Sequence, residues 1–525
     1  MLGITARLSR KGVAVRTILG DAMNYAIIRL HEIDNLCVAL NDLPAGAVLT
    51  GIAAPLPAAV PRGHKVAARA IAKGEMVVRY GQTIGQALEN IPAGGHIHSH
   101  NLGMGPHSTD YAIGSQSTAL PSLPARSFLG FHRADGKVGT RNYIGILTSV
   151  NCSGSVARFI AEAAEKDPVL SSMLNIDGFV PIVHNSGCGM AGDNEGYDTL
   201  MRTLKGYARN PNFGGILLVG LGCEVMQVPD LVGAGRLRPD GNFRYMTIQG
   251  TGGTRATIAK GLQVLAEMAA VAAKVSRAPA SVSKLVVGLQ CGGSDGYSGI
   301  TANPALGVAS DMLVAMGGTT ILSETPEIYG AEHLLTRRAV SREIGEKLIE
   351  RIKWWENYTA INGGEMDNNP SPGNKRGGLT TILEKSLGAV AKGGTAPLAG
   401  VYKFAEPITT PGFVYMDSPG YDPCSVTGQI ASGATMIVFT TGRGSVSGYK
   451  PSPCIKLATN HEMYARMSED MDINCGDIID GVSLAAKGAE ILERIIAVAS
   501  GQKSLSEDLG FGGAEFVPWQ IGAVM

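Results

Sequence analysis

Three histidines alternate within residues 95–101, which read GHIHSHN. Because side chains in an extended strand repeat every two residues, His96, His98 and His100 are predicted to project from one face, about 7 Å apart in succession. A lone histidine usually has a packing role, but packing does not readily explain three in alternation, and imidazole suits iron, zinc and similar metals. The run therefore predicts a metal- or substrate-binding site in which two of the three histidines reach one ion.

Four cysteines each follow a β-rich run and precede small or turn residues. They are Cys152 (TSVNCSG), Cys188 (HNSGCG), Cys223 (GLGCE) and Cys291 (LQCGGSDG). Ligands of open α/β sheets bind outside the carboxyl ends of the strands, and thiolates near helix N-termini are stabilised there. If the four strands share one sheet, the thiols could ligate iron, hold an iron–sulfur cluster or act as acids and bases. The alternative is that each cysteine is a small buried hydrophobe.

Several loops carry side chains suited to a carboxylated, polyhydroxylated ligand. Residues 369–375 (NPSPGNK) cannot lie inside a helix or strand, because two prolines stand two residues apart. The TTGRG loop follows an apolar run and presents an arginine, which can grip a carboxylate through two parallel hydrogen bonds. GGSDG and GCE add carboxylates as ligands or proton carriers, although a turn cap and a solvated ion pair are simpler interpretations of the aspartate and the arginine. The predicted residues are Asn374, Lys375, Arg443, Asp295 and Glu224.

The composition excludes several classes of protein. Charged residues make up 17% of the 525 residues, and 45 basic residues balance 45 acidic ones, so no basic face is available for nucleic acid. Glycine is abundant, with 70 residues, but it has no collagen-like period, and hydrophobic residues reach 45%. No apolar run is long enough to predict a membrane span. The QGTGGT segment lacks G-x-G-x-x-G spacing, which argues against a dinucleotide site, and eight sparse cysteines favour a reducing cytoplasm.

Two kinds of structure are predicted to position these side chains. From residue 25, short apolar pieces separated by turns indicate a small all-β module, whereas after residue 128 apolar strands alternate with amphipathic helices. We therefore predict an α/β protein: an N-terminal all-β module followed by a large, multi-lobed α/β body with Rossmann-like parallel sheets. The basic start of the chain favours a disordered extension, with Met23 a plausible initiator. The predicted boundaries are 1–22 for this extension, 23–102 for the β module, 103–127 for a linker, 128–399 for the body and 400–525 for a C-terminal lobe.

Long motifs of the chain resemble those of the altronate/galactarate dehydratase family, sugar-acid hydro-lyases, from Met23 to the C-terminus. They are IPAGGHIHSHN, DGKVGTRN, HNSGCG, GLGCE, LQCGGSDGYSGITANPALG, SETPEIYGAEHL, NPSPGNKRGGLTTILEKSLG, FTTGRG and IKLATN. The resemblance implies an N-terminal SAF domain of β-clip-like fold, a catalytic α/β body, and a divalent metal, with Fe²⁺ expected and Mn²⁺ or Mg²⁺ as alternatives. The histidine run resembles the altronate branch, whereas TSVNCSG and DINCGDI are closer to the galactarate branch. We expect a cytoplasmic homo-oligomer with a sugar acid as its small-molecule substrate.

The resemblance predicts elimination of water across C2 and C3 of a C6 sugar acid, most simply D-altronate giving 2-keto-3-deoxy-D-gluconate. A metal at the carboxylate would stabilise the ene-diolate, and a second group would protonate the departing hydroxyl. His184 or Lys375 is predicted as the base and His98 as metal ligand or acid, while substrate contacts are assigned to Arg443, Asn374, Asp295 and Lys456. The alternatives are a galactarate dehydratase, a lyase resembling sulfolactate sulfo-lyase, an iron–sulfur cluster on the four cysteines, and a non-catalytic sugar-acid binding protein.

Overall fold

The described part of the chain forms three units built on five sheets. The computed structural model describes residues 16–19, 26–105, 110–233, 237–238, 240–291 and 293–524. Two of the sheets are all-parallel and form the second and third units, as the alternation of strands and helices predicts. The predicted α/β fold with an N-terminal β module is therefore confirmed.

The N-terminal β module contains two antiparallel sheets. The larger has the strand order β1-β2-β3-β4-β7 and the smaller the order β5-β6-β8. The strands are β1 (Arg16–Leu19), β2 (Ala26–Arg29), β3 (Leu36–Ala39), β4 (Lys65–Ala67), β5 (Met76–Arg79), β6 (Gln82–Ala87), β7 (His96–Ile97) and β8 (Leu102–Gly103). Strand β1 lies within the stretch predicted to be a disordered extension, and that prediction is wrong for these four residues because their backbone pairs with β2. The rest of 1–22, including 1–15, lies outside the described residues.

The predicted linker follows the surface of the third unit in irregular conformation, as far as the structure describes it (110–126). Gly114 N donates to Thr336 O at 3.0 Å and Leu123 N to Ala315 O at 3.1 Å. The chain then forms a small antiparallel sheet of order β10-β9-β15, which joins the second and third units. Its strands are β9 (Ser127–His132), β10 (Val138–Gly139) and β15 (Ala278–Ser281).

The second unit is a parallel sheet of order β12-β11-β13-β14 with helices on its faces. Strand β13 is buried along its whole length, as expected for a strand covered on both sides. The strands are β11 (Tyr143–Thr148), β12 (Gly178–Ile182), β13 (Phe213–Gly220) and β14 (Phe243–Thr247). The helices are α1 (Gly154–Lys166), α2 (Glu195–Arg209), α3 (Val228–Val232), α4 (Ile248–Thr251) and α5 (Thr254–Ala272). Helix α1 buries Val156, Ile160 and Ala164, which lie on one face at helical spacing.

The third unit is a seven-stranded parallel sheet of order β18-β19-β17-β16-β20-β21-β22. The chain winds outward from β16 on one side and then resumes at β20 on the other, so the topological switch point lies between β16 and β20. The strands are β16 (Val286–Cys291), β17 (Thr319–Leu322), β18 (Leu398–Tyr402), β19 (Gly412–Met416), β20 (Met436–Thr441), β21 (Cys454–Ala458) and β22 (Ile473–Asn474). The helices are α6 (Ala302–Ala315), α7 (His333–Thr336), α8 (Arg342–Ile361), α9 (Pro372–Arg376), α10 (Ile382–Val390), α11 (Asp422–Ser432), α12 (His461–Arg466), α13 (Leu484–Ala499) and α14 (Leu505–Asp508).

This sheet continues across the division predicted at residue 400, because β16 and β17 pair with strands from beyond it. The two α/β units are instead separated between α5 and β16. The largest hydrophobic cluster joins the β module to the third unit, for example Val77 and Ile84 with Tyr297 and Leu387. Among the described residues, no helix combines the length and the apolar character that a membrane crossing requires.

Candidate active site

Four imidazoles meet where the β module contacts the third unit. His64 precedes β4, and β4 pairs with β7, which begins at His96. The ring centroids of His64 lie 5.2 Å from His96 and 5.1 Å from His98, and those of His96 lie 5.5 Å from His98 and 5.7 Å from His100. We call these four residues the histidine cluster. His64, which the sequence analysis missed, sits in an Arg-Gly-His segment that looked only like a turn.

The histidine run is not one extended strand. Only His96 and Ile97 belong to β7, and the chain then turns, with Asn101 N donating to His98 O at 3.0 Å. The Asn101 side chain holds this turn, accepting a hydrogen bond from His98 N at 2.9 Å. The turn therefore brings neighbouring rings closer than the predicted even spacing along a strand.

Short helix α9 provides the opposite wall. His98 Nε2 lies 2.9 Å from the carbonyl oxygen of Lys375, and His64 Nε2 lies 3.3 Å from that of Arg376. A carbonyl can only accept, so both rings carry a proton on Nε2 and leave Nδ1 as an acceptor. The Nδ1 atom of His64 faces His96 Nε2 at 3.1 Å.

Three histidines of the cluster, His64, His96 and His98, are held in their neutral form. Burial, reinforced by neighbouring imidazoles, lowers the pKa of His64 to about 4 and that of His96 to about 3. Burial also lowers the pKa of His98. Neutral imidazole is the form that binds metals and accepts protons, so the chemistry of this donor set fits a divalent transition metal. Among the described residues, however, no three His, Cys, Asp or Glu side chains are grouped so that they could hold one ion.

A buried ion-pair cluster fixes the histidines relative to the third unit. Glu384 of α10 accepts from Lys65 Nζ at 2.9 Å and from Arg79 Nη1, and all three side chains are fully buried. Burial alone would raise the pKa of Glu384, but the two cations hold it well below its usual range. Lys65 also donates to Gly378 O at 2.6 Å and Arg79 to Gly296 O at 2.7 Å. Because Lys65 follows His64 and pairs with β7, Glu384 anchors both strands that carry the cluster.

Loops at the switch point between β16 and β20 lie beside the region of the histidine cluster and α9. Asp295 accepts hydrogen bonds from Ser298 Oγ at 2.7 Å, Thr459 Oγ1 at 2.9 Å and Asn460 Nδ2 at 3.1 Å. Its carboxylate thus fastens the GGSDG loop to the chain after β21. A Cβ atom at Gly442 would stand 2.1 Å from Asp295 Cγ, which explains the glycine in TTGRG. The Arg443 side chain after it is exposed.

Buried charges that the sequence analysis overlooked lie behind α9. Lys385 Nζ donates to Glu327 Oε1 at 2.8 Å and to Asn369 Oδ1 at 2.7 Å. Glu324 accepts from Cys291 N at 3.1 Å, and burial together with Glu327 raises the pKa of Glu324 well above its usual value. The quoted motifs SETPEIYG and NPSPGNKRGGLTTILEKSLG contain these residues, but sequence does not reveal which charges of a motif become buried.

The predicted substrate contacts are only partly brought together. Asn374 caps α9 in a box with Ser371, and its Nδ2 lies 3.5 Å from Ser294 O, while the Lys375 backbone contacts the histidine cluster. Lys456 is fully buried, and its Nζ donates to Ser447 O at 3.3 Å above the Phe511 ring.

His184 and Glu224 belong to the second unit. Both ring nitrogens of His184 are engaged by backbone, Nε2 with Thr148 O at 3.1 Å and Nδ1 with Ser186 N at 3.2 Å, and burial lowers its pKa to about 4. His184 lies against Phe516 and lines a cavity of about 530 Å³ between the second and third units. Glu224 accepts from Ser149 Oγ and Gly222 N, both at 2.6 Å, and so shapes its own loop.

The four predicted cysteines do not converge. Cys152, Cys188 and Cys223 follow β11, β12 and β13 and are exposed, whereas Cys291 ends β16 in the third unit. Burial raises the pKa of the Cys291 thiol, which makes it a poor thiolate. The condition that one sheet carries all four strands is not met, because the four strands belong to two sheets.

Known sequence families match each unit. The Altronate/galactarate dehydratase SAF domain matches residues 25–105, the D-galactarate dehydratase/Altronate hydrolase second domain matches 130–273, and the D-galactarate/Altronate dehydratase C-terminal domain matches 282–524.

Three curated relatives are similar over nearly their whole length. Galactarate dehydratase (L-threo-forming) of Escherichia coli (strain K12) is 38% identical over 493 residues, covering 92% of this chain and 94% of that protein. Altronate dehydratase of the same strain is 36% identical over 486 residues, with 91% and 96% covered. Altronate dehydratase of Bacillus subtilis (strain 168) is 34% identical over 489 residues, with 91% and 95% covered.

Proposed function

Since the chain belongs to the altronate/galactarate dehydratase family and is a sugar-acid hydro-lyase, we propose that its substrate is D-altronate and its product 2-keto-3-deoxy-D-gluconate. The observation that carries this proposal is the histidine cluster, whose run of three histidines resembles the altronate branch. The cluster contacts α9 directly, so a sugar acid bound beside this contact would touch both the β module and the third unit.

We propose that a divalent metal, with Fe²⁺ expected, is the cofactor. His64 and His96 would hold it, because their lowered pKa values keep both rings neutral and His64 Nδ1 faces His96 Nε2 at 3.1 Å. Such an ion would stabilise the negative charge that develops on the substrate carboxylate when the C2 proton leaves.

The chain's own residues supply the proton transfers. We assign the base to His98, whose Nε2 is fixed by the Lys375 carbonyl and whose Nδ1 is left as an acceptor, 3.0 Å from Ser99 Oγ. The C2–H bond breaks, with its proton moving to His98 Nδ1. The C3–O bond then breaks and the hydroxyl leaves as water with a proton from the Lys375 ammonium. The resulting enol tautomerises to the 2-keto-3-deoxy acid.

Galactarate is the second candidate substrate, and Arg443 favours it. An exposed guanidinium beside the switch point would bind a second carboxylate in two parallel hydrogen bonds, whereas D-altronate ends in a hydroxymethyl group there. Arg443→Gln separates the two: it should lower kcat/KM for galactarate by 10-fold or more and change that for altronate much less.

The direct test is turnover of altronate, galactarate and sulfolactate side by side, with Fe²⁺, Mn²⁺ or Mg²⁺ added to anaerobic protein. Formation of a 2-keto-3-deoxy acid from altronate, at a higher kcat/KM than from the other two, supports the proposal. A preference for galactarate or sulfolactate overturns the substrate assignment. Ligand-induced thermal stabilisation without any product would indicate a binding protein instead.

A further inference from the structure

A second cavity lies at the opposite end of the third unit's sheet from the switch-point loops. It has a volume of about 440 Å³ and lies between the second and third units, where α2 meets the segments that lead into β16 and β20. Val286 and Thr435 line it at the amino ends of these strands, whereas the switch-point loops follow their carboxyl ends. A strand of 6 residues spans roughly 17 Å, so this cavity is separate from the proposed active site.

The lining of this cavity carries an excess of basic residues. Five cations line it, and Asp135 is the one carboxylate among the described lining residues. The whole chain balances 45 basic with 45 acidic residues, so the excess is local and does not follow from the composition. The cations come from three separate segments and are Lys137, Arg202, Lys205, Arg209 and Lys284. We call this cavity the basic cavity.

Most of these cations have no acidic partner. Lys137 pairs with Asp135, with its Nζ 3.4 Å from the carboxylate. The two arginines donate instead to the carbonyl oxygens of Phe404 and Leu237, in both cases from Nε at 3.2 Å. Within the described parts of the chain, four cations of the cavity form no ion pair with a carboxylate, and these are Arg202, Lys205, Arg209 and Lys284. Four positive charges therefore remain for an anion from solution.

Helix α2 concentrates like charges on one face. Arg202, Lys205 and Arg209 stand at positions i, i+3 and i+7 and so lie on the same side of the helix. Like charges at this spacing repel and destabilise a helix. The dipole of α2 accounts for Arg209 in its last turn, but not for Lys284, which belongs to the segment before β16. An anion held between these segments would offset the repulsion.

Close packing of two helices forms part of the cavity wall. Gly206 of α2 and Ala431 of α11 both line the cavity. A Cβ atom at Gly206 would stand 2.2 Å from Ala431 O, so the two backbones can approach this closely only with glycine there. This contact fixes α2 against the third unit and so positions the cations of the helix beside Lys284.

We propose that the basic cavity binds a small metabolite that carries two phosphate groups. Each phosphate monoester carries about −1.5 to −2 charges near pH 7, so two of them match the four cations that lack a carboxylate partner. Arginine binds phosphate through paired N–H donors and lysine supplies a flexible point charge, and the cavity contains both. Its volume lies within the range of roughly 300–1,000 Å³ that is usual for small-molecule sites. The proposal uses no residue of the histidine cluster, so it does not depend on the proposed substrate or metal.

The test is isothermal titration calorimetry of the full chain with fructose 1,6-bisphosphate. We expect one site per chain with a Kd of about 0.1 mM or lower near physiological salt, and weaker binding as salt screens the charges. Inorganic phosphate and citrate are the comparison ligands and should bind at least about 10-fold more weakly, because one has a single phosphate and the other only carboxylates. The double variant K205Q/K284Q should raise the Kd for the bisphosphate by about 10-fold or more.

The matched control is K166Q/K260Q, which removes the same charge from exposed positions of α1 and α5 and should keep the wild-type Kd. Far-UV circular dichroism and Tm without ligand report whether each variant folds, and Lys284→Gln alone replaces the double variant if that variant does not. No binding of the bisphosphate, equal binding of citrate, or an unchanged Kd in the cavity variant would each overturn the proposal. His98→Ala should bind the bisphosphate with the wild-type Kd although its turnover is lost, which separates this result from the proposed function.

Discussion

The histidine cluster and the loops that carry the exposed Cys152, Cys188 and Cys223 of the second unit are built in different ways. His64 is buried, His96 and His98 are half-buried, and burial lowers the pKa of all three, whereas His100 is exposed. All four come from one unit, while the hydrogen-bond acceptors of His64 and His98 come from another. The thiols are exposed, and their three loops belong to one unit and are tied to one another by backbone and side-chain hydrogen bonds. The first site therefore depends on how two units dock, whereas the second depends only on the fold of its own sheet.

The largest effect should come from Glu384→Gln, which removes the charge that anchors the histidine strands. Two buried cations, Lys65 and Arg79, would lose their common partner, and breaking a buried pair typically costs about 3–5 kcal/mol. We expect a fall in Tm of several degrees and a loss of activity. The control is Glu493→Gln, which breaks the exposed pair with Arg126 and should change Tm little. Equal behaviour of both variants would show that docking does not depend on Glu384.

His98→Ala should separate catalysis from packing. Loss of a positioned base typically lowers the rate by a factor of 10² to 10⁴, so kcat should fall by at least about 100-fold while Tm stays near the wild-type value. His132→Ala is the matched control, since His132 is exposed and contacts only the Pro279 carbonyl among the bonds described. Parallel losses of activity and Tm in His98→Ala would favour a structural role for this histidine.

Asp295→Asn probes the switch-point loop. The amide cannot accept all the bonds that Ser298, Thr459 and Asn460 donate to the carboxylate, and an unmatched buried donor costs about 1–3 kcal/mol. Because the loop borders the proposed substrate site, KM should rise more than kcat falls. The opposite pattern, a large fall in kcat at unchanged KM, would place Asp295 in the chemical step instead.

The smallest effect is expected on the loss of stability at acidic pH. His184 has an ordinary pKa of 6.5 when the chain is unfolded and about 4 when folded, because burial disfavours the charged ring. Protons then bind the unfolded chain more tightly, so stability is lost as pH falls from about 6.5 to about 4. His184→Gln should flatten the dependence of Tm on pH within this window. An unchanged slope would mean that other titrating groups dominate the dependence of Tm on pH in this window.

Much of the architecture could be read from periodicity. Short apolar pieces indicated the β module and amphipathic helices indicated the α/β body, because these patterns reflect which faces of a strand or helix must be buried, as α1 shows. The boundary at residue 400 could not be found in this way, since strand order within a sheet depends on pairing between distant segments. The same limit applies to the cysteines: their position after strands was visible, but their division between two sheets was not.

The sequence by itself determined the family, the α/β class and the presence of a run of histidines suited to metal binding or proton transfer. These features depend on residue types and short-range spacing, which can be read directly from the sequence. Only the tertiary structure shows that His64 lies beside that run and that Glu384 pairs with the neighbouring Lys65. It also shows that His184 belongs to the second unit, away from the run. These positions depend on burial and on contacts between segments that are distant in the sequence. A charged side chain in water costs little free energy at any position of a sequence. Only the folded surroundings determine whether that side chain forms a buried ion pair, binds a ligand or stays solvated.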